Sequence, residues 1–155
     1  MLTILVDADG CPVKEEIFRV AIKWGIKAVL VSNKRLRCPM SPLISSVVVG
    51  GNFDSADDWI VDNASAGDIV VTADIQLASR ALDKDARVIN PNGRLFTKET
   101  IGEAMATREL LASLRESGIQ TGGPAPFKPK DRSLFLHVLQ EEIQAIKREI
   151  RPSGI

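Results

Sequence analysis

Five short apolar runs, set apart by segments of helical period, constrain what this chain can fold into more than any other feature. The first, Leu2-Thr3-Ile4-Leu5-Val6, is stopped at once by Asp7-Ala8-Asp9-Gly10. A run this short and this apolar reads as a strand covered on both faces. Ala28 to Val31, Val47 to Val49, Ile69 to Thr72 and Arg87 to Ile89 read the same way. Between them the period changes. Val13, Ile17, Val20, Ala21 and Trp24 recur at helical spacing, with Pro12 where a first turn tolerates it and Gly25 where a helix stops. Ser55 followed three residues later by Asp58 has a capping-box form and predicts a helix over 56–64; another is expected over 75–82. Strands alternating with helices at this spacing require βαβ crossovers. The expected fold is α/β, a mainly parallel sheet of about five strands with helices on both faces.

From Thr97 the pattern becomes helical. Ile101, Met105, Leu110, Leu111 and Leu114 predict a helix to about Ser117, residues 118–130 form a Gly/Pro-rich linker, and Phe135, Leu139, Ile143, Ile146 and Ile150 line one face of a last helix. That stripe can serve the core or a homo-oligomer. The chain thus divides into an α/β core, 1–96, and a helical part, 97–155, within one domain of ordinary size. Cys11 and Cys38 stand 27 positions apart without a CxxC pair, and His137 is the single histidine, which argues against a zinc centre. Two reduced thiols suit a cytoplasmic protein. The first apolar run is too short for a signal segment or a membrane span.

Lys plus Arg and Asp plus Glu each total 20, so no global basic field draws the chain to nucleic acid. The charges are segregated, however. No Lys or Arg falls between Arg37 and Arg80, where Asp54, Asp57, Asp58, Asp62, Asp68 and Asp74 all lie. From Lys14 to Arg37, seven basic residues face two acidic ones, a net charge of +5. In an open parallel sheet, ligands bind outside the carboxyl ends of the strands. Asp7 and Asp9 follow the first strand, Asp57 and Asp58 open the helix after the third, and Asp74 follows the fourth. Such carboxylates repel one another unless a cation lies between them, and oxygen ligands favour Mg²⁺ or Mn²⁺. Asp54 and Asp62 read as solvated surface, and Asp68 sits at the wrong end of its strand.

Three ordered motifs carry a family resemblance: Val6-Asp7-Ala8-Asp9-Gly10-Cys11-Pro12-Val13-Lys14, Asp54-Ser55-Ala56-Asp57-Asp58-Trp59-Ile60 and Asp68-Ile69-Val70-Val71-Thr72-Ala73-Asp74-Ile75-Gln76-Leu77-Ala78. With Asn90-Pro91-Asn92-Gly93, Gly122-Gly123-Pro124, Pro126-Phe127 and Asp131-Arg132-Ser133, they make the chain resemble the YaiI/YqxD family of bacterial proteins over nearly its whole length. The resemblance implies a PIN-like fold and, through it, a metal-dependent ribonuclease with a carboxylate quartet. In that reading Asp7 is the acid after the first strand. Asp57, with Asp58, is the helical acid, where PIN domains commonly carry Glu. Asp74 is the third, and Asp9 stands in for a fourth that has no clear counterpart. Lys34, Arg35 and Arg37 would hold the RNA backbone beside the metal.

Two other readings compete. Strand, Asp7-Ala8-Asp9-Gly10 and then Val31-Ser32-Asn33-Lys34 resemble a haloacid-dehalogenase-type phosphotransferase, with Asp7 as nucleophile and Asp9 as acid. There, though, a Gly-Asp pair follows a strand, whereas Gly67-Asp68 precedes one. The alternative to an enzyme is a PIN-like module that binds RNA or protein without chemistry. The absence of Tyr and a total of seven aromatics supply few stacking platforms, so any RNA contact should be to the backbone. Cys11 near a helix start could be a reactive thiol, but no partner adjoins it in sequence, and packing is the simpler role.

Overall fold

Side chains of β1 (Thr3–Asp7) alternate between two cores, because successive residues of a strand point to opposite faces. Ile4 and Val6 join one core, which α1 (Lys14–Trp24) and α5 (Pro129–Ile150) cover with Ile17, Phe18, Phe135 and Leu139. Leu5 joins the other, covered by α2 (Ser55–Asn63) and α3 (Ile75–Asp83) through Ile60, Leu77 and Ala81. The computed structural model describes residues 2–50, 55–120 and 126–150. It is a single α/β domain with a six-stranded sheet in the order β3-β2-β1-β4-β5-β6. The remaining strands are β2 (Lys27–Ser32), β3 (Ile44–Val48), β4 (Ile69–Val71), β5 (Arg87–Ile89) and β6 (Leu95–Phe96). The first five pair in parallel, and β6 returns antiparallel to β5.

The mainly parallel sheet and its two helical layers follow the expectation from the alternating pattern. Three details differ. β3 begins at Ile44 rather than Val47 and is an edge strand, with Ile44 buried and Val48 54% exposed. β6 has two residues, too few to show a period in sequence. α2 takes Ser55 into its first turn rather than leaving it as the cap, and Asp54 and Gly51 lie outside the described residues.

α4 (Lys98–Glu116) opens with a capping box in which Thr97 and Thr100 each accept from the other's backbone N–H. It packs chiefly along α3 and buries no residue fully; Leu110 is 60% exposed. The apolar spacing of α4 therefore makes only a shallow contact. The α5 stripe does the opposite, with Phe135, Leu139, Ile143 and Ile146 all in the core; the Ile150 side chain and the Gly122-Gly123-Pro124 motif lie outside the described residues.

Two of the later motifs fasten α5. Arg132 Nη1 donates to Glu16 Oε1 at 2.9 Å and to the Pro12 carbonyl at 2.8 Å, and its guanidinium stands 5.0 Å from the Phe127 ring centre. Glu16 is buried, and Arg19 closes its other oxygen at 2.9 Å. Gly93, in the Asn90-Pro91-Asn92-Gly93 turn, has φ +92° and lies hard against α5. A Cβ there would stand 2.6 Å from Leu134 Cγ and 2.9 Å from the Phe135 nitrogen. Positive φ and backbone crowding both resist a side chain. Gly93→Ala should cost about 2 kcal/mol or more in a urea melt, and a loss below about 0.5 kcal/mol would show that the turn and α5 separate freely.

Candidate active site at the carboxyl edge of the sheet

Strand order reverses direction between β1 and β4. From β1 the chain moves outward through β2 to β3, then crosses back to β4 on the other side of β1 and continues to β5 and β6. That reversal is the switch point at which an open parallel sheet leaves a crevice for ligands. Asp7 ends β1 there, and Thr72-Ala73-Asp74 follows β4.

The buried Thr72 hydroxyl joins the two acids. It donates to Asp7 Oδ2 at 2.8 Å and accepts from the Asp74 backbone N–H at 2.9 Å. Asp74 caps α3, its Oδ1 accepting from the N–H groups of Gln76 at 2.8 Å and Leu77 at 3.3 Å. Its carboxylate thus faces the positive end of a helix dipole. Asp7 is half-buried. Desolvation raises its pKa above the ordinary 3.8, the Thr72 hydrogen bond partly counters this, and Asp74 and Asp9 raise it further. Oδ1 of Asp7 and Oδ2 of Asp74 accept no hydrogen bond from the described residues.

The other predicted acids are placed differently. Asp9 is exposed and holds down the loop after β2, accepting from Ser32 Oγ at 2.5 Å and from the Asn33 N–H at 3.0 Å. Those bonds, the Ser32 one foremost, hold its carboxyl below the ordinary value, helped by Lys34 and Lys14. Asp58 pairs with Arg80 of α3 at 2.9 Å across an exposed surface. Asp57 is half-buried in the first turn of α2 and has a partner of its own. Among the described residues, no group of three or more His, Cys, Asp or Glu is arranged to hold a metal ion. Asp68 is structural, at the opposite edge, where its oxygens accept from the Thr3 and Ser65 backbone. Cys11 is packed in the core and burial pushes its thiol up, opposite to an activated cysteine.

Lys34, Arg35 and Arg37 are exposed on the loop after β2, at the same carboxyl edge as Asp7. Sequence reasoning missed a second basic surface. A cleft of about 770 Å³ lies between the start of α3 and the length of α4, lined by Asp74, Arg94, Glu103, Arg108 and Arg115 among others. Two signals could have found it. Arg94 follows the turn at the carboxyl end of β5, and Arg108 and Arg115 are seven apart, on one helical face.

A family model described as an uncharacterized BCR, YaiI/YqxD family, matches residues 5–145. UPF0178 proteins of Brucella ovis, Brucella canis and Brucella suis are each 55% identical over 148 residues, covering 95% of this chain and 92% of the relative. No solved structure matches the chain. Among the described residues, no helix is long and apolar enough to cross a membrane.

The burial of Asp7 has a cost with a definite pH dependence. Its folded-state carboxyl binds a proton more tightly than the unfolded chain's, so ionised Asp7 destabilises the fold above its raised pKa. That cost vanishes as pH falls below 3.8, the unfolded value. Asp7→Asn should therefore melt higher than wild type at pH 7, by about 2–4 °C for each kcal/mol relieved, and the gap should close on acidification toward that value. Equal melting temperatures at pH 7 would show that the carboxylate is not strained.

Proposed function

The chain belongs to the YaiI/YqxD family, and we propose that it is a metal-dependent nuclease hydrolysing RNA phosphodiesters at Asp7 and Asp74. The observation that carries this reading is the pair itself: two carboxylates at the switch point, joined through one buried hydroxyl, each with one oxygen left over. Both donors are hard oxygens. Mg²⁺ and Mn²⁺ suit such a pair, since Mg²⁺ is commonly held by one or two carboxylates with water and substrate phosphate completing the shell. A preformed cage of three ligands is not required, and zinc, which prefers nitrogen and sulfur, is not favoured.

In this reading Asp7 and Asp74 hold the ion, with Asp9, Asp57 and Asp58 as supporting negative charge. The ion, when bound, supplies activated water and stabilisation of the phosphodiester transition state. Thr72 fixes the Asp7 carboxylate, and the cap to α3 fixes that of Asp74, so neither rotamer needs to reorganise. Asp57 or Asp58 of α2 would take the proton or hold a second ion; each has a contact of its own, that of Asp58 being Arg80. Lys34, Arg35 and Arg37 position the RNA backbone. The phosphotransferase reading is weakened by Asp9, which occupies both the Ser32 hydroxyl and the Asn33 N–H and is held ionised, poorly suited to protonating a leaving group.

Two measurements test the proposal. Mn²⁺ or Mg²⁺ should raise the melting temperature of the wild-type protein and leave that of Asp7→Asn unmoved; a full shift in the variant would remove Asp7 from the site. Mixed single-stranded and structured RNA should be cleaved with Mn²⁺ by the wild type, and at least about 100-fold more slowly by Asp74→Asn. Equal cleavage by both would indicate a contaminant. No cleavage by either, with salt-sensitive RNA binding kept, would leave a binding module; phosphate trapped on Asp7 would favour the phosphotransferase.

A further inference from the structure

We propose that the cleft between α3 and α4 is the second half of a backbone clamp, and that it receives one strand of nucleic acid through Arg94, Arg108 and Arg115. This inference rests on the reading of Asp7 and Asp74 as the reacting centre. The sheet order gives the geometry. Along the carboxyl edge stand, in turn, the Lys34 to Arg37 loop after β2, Asp7 on β1, Asp74 after β4, and Arg94 beyond β5. With neighbouring strands about 4.8 Å apart, β2 and β5 are separated by about 14 Å. A polyanion laid across the edge therefore meets positive charge, then the acids, then positive charge again.

The far side is a built groove. Its volume of about 770 Å³ reaches from Asp74 along α4, where Ala104, Thr107, Leu111 and Ala112 also line it. Among the described residues of the lining, three guanidiniums stand with two carboxylates, Asp74 and Glu103, and Arg115 has a partner of its own. Arg94 is positioned by the turn before it: Asn90 Oδ1 accepts from the Asn92 N–H, and Asn92 Oδ1 accepts from the Arg94 N–H, both at 2.9 Å. Among the described residues neither Arg94 nor Arg108 forms an ion pair. Guanidinium forks match phosphate oxygens well. Among the described residues no aromatic side chain lines the groove, so it is suited to gripping backbone rather than stacking bases and should be indifferent to sequence. The clamp is proposed for a single strand, whose backbone can reach both basic sides of the acids, whereas a mononucleotide reaches only one.

Binding in EDTA isolates this clamp from hydrolysis. Fluorescence anisotropy should be followed with a labelled oligouridine 12-mer, the oligothymidine 12-mer, a 12-base-pair RNA duplex and uridine monophosphate as competitor. The variant is Arg94→Ala/Arg108→Ala, two exposed positions, with folding checked by circular dichroism. Wild type should bind both single strands at least tenfold more tightly than duplex, and the monophosphate should compete poorly. The double variant should bind the single strands about tenfold or more weakly, with a salt slope shallower by about 1.4, the loss of two phosphate contacts to a single strand. Preference for RNA or DNA identifies which strand the clamp takes. Unchanged affinity in the folded variant, equal binding of duplex, full competition by the monophosphate, or no binding by wild type would each overturn the clamp. Metal-dependent cleavage is scored separately, so a variant that binds normally while wild type cleaves condemns the clamp alone.

Discussion

β1 is hydrogen-bonded in parallel to β2 on one side and β4 on the other, with Val6 opposite Val71. The rest of the candidate site depends on that central pairing. It brings the residue that ends β1 beside the residues that follow β4, although they are 65 or more positions apart in the chain. Thr72 sits just past the last β4 pair and can reach both ways. Its one proton goes to Asp7 and its oxygen accepts from the Asp74 amide, so a hydroxyl with a single donor sets the relation of two acids. A valine there would remove the hydrogen bond that lowers the Asp7 pKa, so burial and the like charges nearby would act unopposed by it.

On the proposed reading, stability and chemistry pull against one another at this edge. A half-buried carboxylate beside two others is unfavourable on its own, and natural active sites hold such groups because the surrounding fold can carry the cost. Here the load is carried by ordinary packing below the edge. Two apolar layers seal the sheet, α5 contributes four buried side chains to one of them, and the Arg132–Glu16–Arg19 cluster ties α5 to α1. Asp68, at the opposite edge, shows the contrasting case. It is as acidic as Asp7 by type, yet every described contact is a neutral donor, from Thr3 or Ser65, and its role is to join the starts of β1 and β4.

The charge segregation acquires a spatial meaning only when the strands are ordered. Acidic and basic segments that adjoin in sequence become neighbours across the sheet edge, with the acids at the switch point and Lys34 to Arg37 beside them. Asp9 ties the two, since its carboxylate anchors the loop that carries the basic residues. It therefore serves as a loop clamp as well as a source of negative charge.

The sequence by itself determined the fold class, because hydrophobic period and cap residues are local and each short apolar run or helical stripe declares its own type. Asp7 and Asp74 were legible for the same reason: each directly ends or follows a buried strand, and the carboxyl end of a parallel strand is where a ligand can approach. Strand order is not local. Whether Asp74 meets Asp7 or some other strand end depends on the crossover from β3 to β4, and only the assembled sheet decided it. Burial of the edge strand β3, the two-residue β6 and the shallow seat of α4 were also beyond local pattern, since each depends on what packs against the element rather than on its own spacing. Arg94, Arg108 and Arg115 escaped notice because they come from a turn and a helix that share a cleft only after α4 docks on α3. Tertiary structure decided that these charges stand beside the acids, because electrostatic interaction follows distance in space and not position along the chain.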